Sequence, residues 1–149
     1  MAENHAPILC ADDNPVDIEL FRVAFEEIGL NYPLEVVRDG QEALDYLHQN
    51  GAYSQQAQVI PAAILLDIKM PRLNGIEALK IIRANPMLIH VPVIMLTSSE
   101  MLKDIEVCYS LGANAYVVKP IDFEEFIRKV ESMSKFWQYL NTMPETAFL

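Results

Sequence analysis

The sequence predicts an α/β protein: a parallel sheet with helices on both faces. Three observations carry this. Short apolar runs alternate with longer amphipathic stretches, strand then helix, five times over. The runs are apolar throughout, as in Ile64-Leu65-Leu66 and Val93-Ile94-Met95-Leu96, the pattern of strands covered on both faces. The length, 149 residues of which 52% are hydrophobic, suits one domain with an ample core.

The elements follow in order. Pro7 to Ala11 reads as a buried strand, and residues 15–29 as a helix. Asn14 suits its N-cap, Pro15 its first position and Gly29 its C-terminal end. Ile18, Phe21, Phe25 and Ile28 give that helix an apolar face, opposite a solvent stripe of Glu19, Arg22 and Glu26. Leu34 to Val37 is a second strand. Asp39-Gly40 makes a turn, and a helix follows to about Asn50 with Ala43, Leu44 and Leu47 on one face. Residues 50–61 form a long polar loop. Ala62 to Leu66 is a third strand ending at Asp67; Pro71 and Gly75 bracket a loop before a helix to about Asn85. Val91 to Leu96 is a fourth strand ending at Thr97, residues 99–111 a helix closed by Gly112, and Ala115 to Val118 a fifth strand ending at Lys119-Pro120. A last helix starts near Asp122, with Phe126, Val130, Met133 and Trp137 at helical spacing. The whole reads as a single domain, residues 1–149, with a core at about 7–135 and a C-terminal helical extension at about 136–149.

Composition excludes several functions. Eleven Lys and Arg against twenty-one Asp and Glu give a formal charge of −10, without a basic cluster. That argues against nucleic acid and against an anionic membrane surface as partners. Cys10 and Cys108 have no CxxC spacing and no nearby His cluster, so both read as reduced core thiols. Met1 to Ala6 is short and contains Glu3, unlike a signal peptide. No apolar stretch approaches the roughly 20 residues that span a bilayer. A soluble, cytoplasmic protein is expected.

In a sheet of this kind ligands bind beyond the carboxyl ends of the strands. Those positions hold Asp12 and Asp13, Asp67, Thr97 and Lys119. Any one alone is unremarkable, since an Asp after a strand is usually a cap or turn residue. Together they place three carboxylates, a hydroxyl and an amine on one edge. Close carboxylates repel unless a cation neutralises them, and an all-oxygen set suits a hard ion such as Mg²⁺. Lys119 and Thr97 can each bond a phosphoryl oxygen, and a carboxylate can serve as nucleophile. The set fits phosphoryl transfer, in which positioning and charge neutralisation do most of the work.

These residues carry a resemblance. Asp12-Asp13, the stretch Leu65-Leu66-Asp67-Ile68-Lys69-Met70-Pro71-Arg72-Leu73-Asn74-Gly75, Leu96-Thr97-Ser98 and Tyr116-Val117-Val118-Lys119-Pro120 resemble, in order and spacing, the receiver domain of two-component response regulators. The resemblance covers nearly the whole chain. It implies a flavodoxin-like (βα)5 three-layer sandwich with strand order 2-1-3-4-5. It implies Asp67 as the phosphorylated residue, and Mg²⁺ held by Asp13, Asp67 and the Lys69 carbonyl, with Asp12 acting through a water. Lys119 would bind a phosphoryl oxygen, Thr97 would move toward the phosphate, and Tyr116 would rotate inward with it. A cis bond at Lys119-Pro120 is also implied. Such a domain is a phosphoacceptor that catalyses its own phosphorylation and dephosphorylation, not an enzyme acting on a separate substrate.

Within the family, the loop at 50–61 and the tail Phe136-Trp137-Gln138-Tyr139-Leu140 look like the small regulators that work with phytochrome-type sensor kinases. The implied partner is a sensor histidine kinase of that type, with no output domain in the chain. The apolar tail packs back on the domain or supports a homodimer, the expected assembly. The switch would alter the surface of the fourth helix, fifth strand and fifth helix. Lys69 and Ser99 occupy positions that tune phosphate lifetime in the family; Lys69 either screens the acyl phosphate, pairs with Glu100 or is simply solvated. Three other readings compete. A receiver-like interaction module without phosphorylation usually lacks the acidic pair, nucleophile or lysine. A flavin carrier needs a Ser/Thr/Gly-rich loop where Asp12-Asp13 stands. An aspartyl phosphatase usually has an acid where Lys69 stands.

Overall fold

The computed structural model describes residues 6–29 and 32–142. Most of the Met1 to Ala6 segment, and the extension from residue 143 onward, lie outside them. Strands β1 (Ile8–Ala11), β2 (Leu34–Val37), β3 (Ala63–Leu66), β4 (Val93–Thr97) and β5 (Ala115–Val118) alternate with helices α1 (Pro15–Glu27), α2 (Gly40–His48), α3 (Gly75–Ala84), α4 (Leu102–Ser110) and α5 (Phe123–Lys135). The sheet is parallel throughout, in the order β2-β1-β3-β4-β5. This is the flavodoxin-like architecture expected from the sequence.

Strand residues alternate between two cores. Leu9, Ala11, Ile64, Leu66, Val93 and Met95 face Leu44, Leu47, Leu79, Ile82 and Cys108 of α2, α3 and α4. Ile8, Cys10, Ala63, Leu65, Ile94 and Leu96 face Phe21, Phe25, Phe126 and Val130 of α1 and α5. Burial on both faces explains why the strands show no polar alternation. Both cysteines are free and buried.

Helix starts follow local chemistry. Asn14 Oδ1 accepts from the Val16 N–H at 2.9 Å, ahead of Pro15 at the first position. Asn74 and Glu77 form a reciprocal capping box on α3. Asp39-Gly40 is no separate turn: Asp39 caps α2, accepting from the Glu42 N–H at 2.7 Å, and Gly40 is already helical. Gly40 is needed there for space, because a Cβ would lie 2.1 Å from the Leu73 carbonyl oxygen. The fourth helix begins at Leu102, later than residue 99. Ser99 is held by local bonds instead: its N–H donates to Thr97 Oγ1, and its hydroxyl donates to Asp104 and accepts from the Met101 N–H.

The 50–61 loop contains one short 3₁₀ turn, Gly51–Tyr53. Tyr53 packs edge-on against Tyr46 with centroids 5.3 Å apart, and its hydroxyl donates to Glu42 at 3.0 Å. The last helix runs into a π-helical turn, Phe136–Leu140, rather than continuing regularly. The turn divides the apolar tail. Trp137 is 3% exposed and packs into the α1/α5 core, whereas Phe136 and Leu140 are 46% and 75% exposed. Among the described residues no helix is long and apolar enough to cross a membrane.

Candidate phosphoacceptor site

The ladder hydrogen bonds run one residue past the strands and set the site residues side by side. The Asp12 N–H donates to the Val37 carbonyl at 3.0 Å, the Asp67 N–H to Ala11 at 3.0 Å, and the Lys119 N–H to Thr97 at 2.8 Å. Parallel register, with Ala11 opposite Leu66 and Thr97 opposite Val118, keeps these ends level.

Asp12, Asp67 and Thr97 are buried, and Asp13 is exposed at the rim. Oxygens of Asp12, Asp13 and Asp67 all lie within 4.8 Å of one another. One Asp67 oxygen is placed by its own loop: Oδ1 accepts from the Ile68 N–H at 2.7 Å, leaving Oδ2 to Lys119 at 2.8 Å. Lys119 also bonds Asp12 Oδ2 at 2.8 Å. Its side chain, 9% exposed, reaches the carboxylates from the far end of β5.

The loop after Asp67 is pressed close to the strand. The Gly75 N–H donates to the Ile68 carbonyl at 2.8 Å, and a Cβ on Gly75 would lie 1.9 Å from the Asp67 carbonyl oxygen. Arg72, at φ +64°, closes the loop against α2 through a two-bond contact with Asp39. Lys69 is exposed and borders a shallow groove with Asp13, Met70, Pro71 and Asn74. Among the described residues no ion pair joins Lys69 to Glu100.

Electrostatics follow from burying many like charges with one cation. Burial pushes the Asp12 carboxyl up from its ordinary 3.8 to about 6, although Lys119 opposes the rise. Burial alone would lower the Lys119 ammonium, but Asp12 and Asp67 outweigh it and hold it well above its ordinary value. The donors are all oxygen and the net charge is negative, which fits a hard divalent cation.

Thr97 Oγ1 accepts from the Ser99 N–H at 3.3 Å, and the Tyr116 hydroxyl donates to the Ser99 carbonyl at 2.9 Å. The two switch residues of the sequence reading thus meet on one residue of the β4–α4 loop. The expected cis bond is corrected: no described peptide bond is cis, so Lys119-Pro120 is trans. Trans is also the form an X-Pro bond ordinarily prefers, by about 0.5–1 kcal/mol. One site residue escaped the sequence reading. Asp17 Oδ2 lies 2.7 Å from Lys119 Nζ.

A family model for the response regulator receiver domain matches residues 8–131. The chain belongs to that family, the receivers of two-component signalling. It is 36% identical, over 98% of its own length and 92% of the relative's, to the probable methanogenesis regulatory protein FilR2 of Methanothrix harundinacea. Response regulator Rcp1 of Synechocystis is 31% identical over 92% of each chain, and its Mn²⁺-bound structure superposes with a TM-score of 0.86, covering 93% of this chain and 99% of that one. The phosphorylated cyanobacterial phytochrome response regulator RcpA superposes with a TM-score of 0.87 at 33% identity, covering 95% of this chain and 99% of that one. The chain is thus similar to small phytochrome-associated regulators.

Proposed function

We propose that this receiver takes a phosphoryl group from the phosphohistidine of a sensor kinase onto Asp67, and that the product resets its α4–β5–α5 surface. The observation that carries the reading is the pairing of Asp67 Oδ2 with Lys119 Nζ at 2.8 Å, beside an acidic trio within 4.8 Å. An Asp67 oxygen attacks phosphorus, the P–N bond breaks, and its electron pair stays on the imidazole nitrogen. The product is an acyl phosphate, which water later cleaves back to the carboxylate.

Asp12, Asp13, Asp67 and the Lys69 carbonyl are the residues proposed to hold Mg²⁺. When bound, the ion supplies charge neutralisation on the transferred oxygens. Lys119 presents an N–H to the incoming group. Thr97, now bonded by the Ser99 N–H, has a hydroxyl free to turn toward a phosphoryl oxygen. Tyr116 shares Ser99 as partner, so a shift of Thr97 changes what holds the Tyr116 ring. The likeness to RcpA supports a phytochrome-type kinase as donor.

Wild-type protein given acetyl phosphate and Mg²⁺ is expected to acquire acid-labile phosphate, and to acquire none in EDTA. Metal-independent labelling would reject the reading. Self-association is the proposed output. It is supported by the exposed Phe136 and Leu140 and by an apolar groove of Pro92, Ile94, Val117 and Met133 along edge strand β5. Sedimentation at micromolar concentration is expected to show a dimer that strengthens with a beryllofluoride phosphate mimic. Monomer under both conditions would remove this part.

A further inference from the structure

Lys119 meets three carboxylates, and two of them, Asp12 and Asp67, follow strands β1 and β3 at the site described above. The third comes from a helix. Asp17 sits in the first turn of α1, and its Oδ2 lies 2.7 Å from Nζ, the shortest of the three contacts. It is not one of the trio whose oxygens cluster within 4.8 Å. Nor does it cap α1, because Asn14 does. An acidic residue in a first helical turn interacts favourably with the helix dipole while pointing into solvent. Asp17 instead has a side chain 15% exposed and is turned back onto the strand ends.

An ammonium group has three donors and no acceptor capacity. With Asp12, Asp17 and Asp67 at 2.7–2.8 Å, each N–H has a carboxylate to meet. The direction of the group is then fixed from three sides, although its stem is long and flexible.

We infer that Asp17 is a positioning residue of the phosphoacceptor site. It holds the Lys119 ammonium from the α1 side, aimed at the Asp67 oxygen where a phosphoryl group arrives. The inference rests on the reading of Asp67 as phosphoacceptor. Phosphorylation removes the carboxylate charge of Asp67 and places new acceptor oxygens next to it, so the N–H on Oδ2 must pass to a phosphoryl oxygen. Asp12 shares the acidic trio with Asp13 and Asp67 and has that second duty. Asp17 has none, and it keeps the ammonium in place during the exchange. Without it the ammonium spreads over more orientations, and fewer of them meet the incoming group.

Two variants and one control test this. Asp17→Asn keeps size and an acceptor but removes the charge; Asp17→Ala removes both. Glu19→Gln changes an exposed charge on the same helix and serves as control. Initial rates of labelling from acetyl phosphate are read at magnesium concentrations that saturate each variant. Lysine ammonium signals are read in parallel by ¹H–¹⁵N spectroscopy. Asp17→Ala is expected to label about tenfold more slowly, Asp17→Asn less so, and Glu19→Gln at the wild-type rate. The Lys119 ammonium signal is expected to be sharp in the wild type, where three carboxylates hold it, and to broaden in both Asp17 variants. A wild-type rate in Asp17→Ala, or an unmoved ammonium signal with only a lower melting temperature, would overturn the inference. If the wild type itself does not label, the phosphoacceptor reading fails, while the ammonium signal still decides whether Asp17 anchors Lys119.

Discussion

Asp67→Asn protein is expected to take up no phosphate from acetyl phosphate or from a kinase that labels the wild type. The effect is total because the substitution removes the attacking group, not a helper of it. An amide oxygen still accepts from the Ile68 N–H, the bond that places Oδ1 at 2.7 Å in the wild type; the amide nitrogen in place of Oδ2 cannot accept from Lys119, whose ammonium keeps Asp12 and Asp17. The amide is also about the size of the carboxylate, so the loop to Gly75 keeps its shape. Stability is not expected to fall. The wild-type pocket sets Asp12, Asp17 and Asp67 around one lysine with Asp13 close by at the rim, and removing one anion relieves repulsion. The check is acid-labile phosphate measured beside a thermal melt. Label retained at wild-type level would place the acceptor elsewhere, on Asp12 or Asp13 of the same pocket. Label lost together with the melting transition would show only that the fold had failed.

The sequence made most of this pocket legible because the fold does the assembling. Strands of four or five residues, buried on both faces, could be placed from their apolar runs, and the residue at or just past each strand end then falls on one edge. Asp12, Asp67, Thr97 and Lys119 were found that way. Asp17 was not, because it lies on a helix and its partner is 102 residues away. The only local signal was an acidic residue in a first turn, which ordinarily reports nothing more than the helix dipole. The tail shows a different limit. Trp137 continues the helical spacing of Phe126, Val130 and Met133, and that spacing cannot announce a π-helical turn that buries Trp137 and leaves Phe136 and Leu140 outside. The late start of α4 was hidden for a related reason. Ser99 has a hydroxyl that competes for backbone and Asp104, and propensity over the segment does not reveal which bond wins.

Lys119→Met should be the most destabilising single change in the pocket, and the loss should depend on pH and on metal. Methionine keeps the length of the side chain but leaves Asp12, Asp17 and Asp67 without their ammonium partner. Breaking a buried ion pair from one side costs about 3–5 kcal/mol. The sign with pH runs opposite to that of a typical salt-bridged carboxylate. In the wild type Asp12 ionises at about 6 in the folded protein against an ordinary 3.8, so on acidification the folded state binds that proton first. Stability from this group therefore rises as pH falls from 7 to 5, by on the order of 1 kcal/mol. The Lys119 ammonium itself stays charged over that window, because its folded value is raised and it titrates only in alkali; what changes is the charge on Asp12 that it faces. Without Lys119 only the Asn14 N–H still opposes the rise of the Asp12 carboxyl, so the variant should recover more than the wild type on the same acidification. Added Mg²⁺ should restore part of the loss at pH 7 by supplying the missing positive charge. Urea unfolding of both proteins at pH 5 and 7, with EDTA or Mg²⁺, measures each effect. Equal stability of variant and wild type at pH 7 in EDTA would mean that the ammonium does not neutralise the pocket.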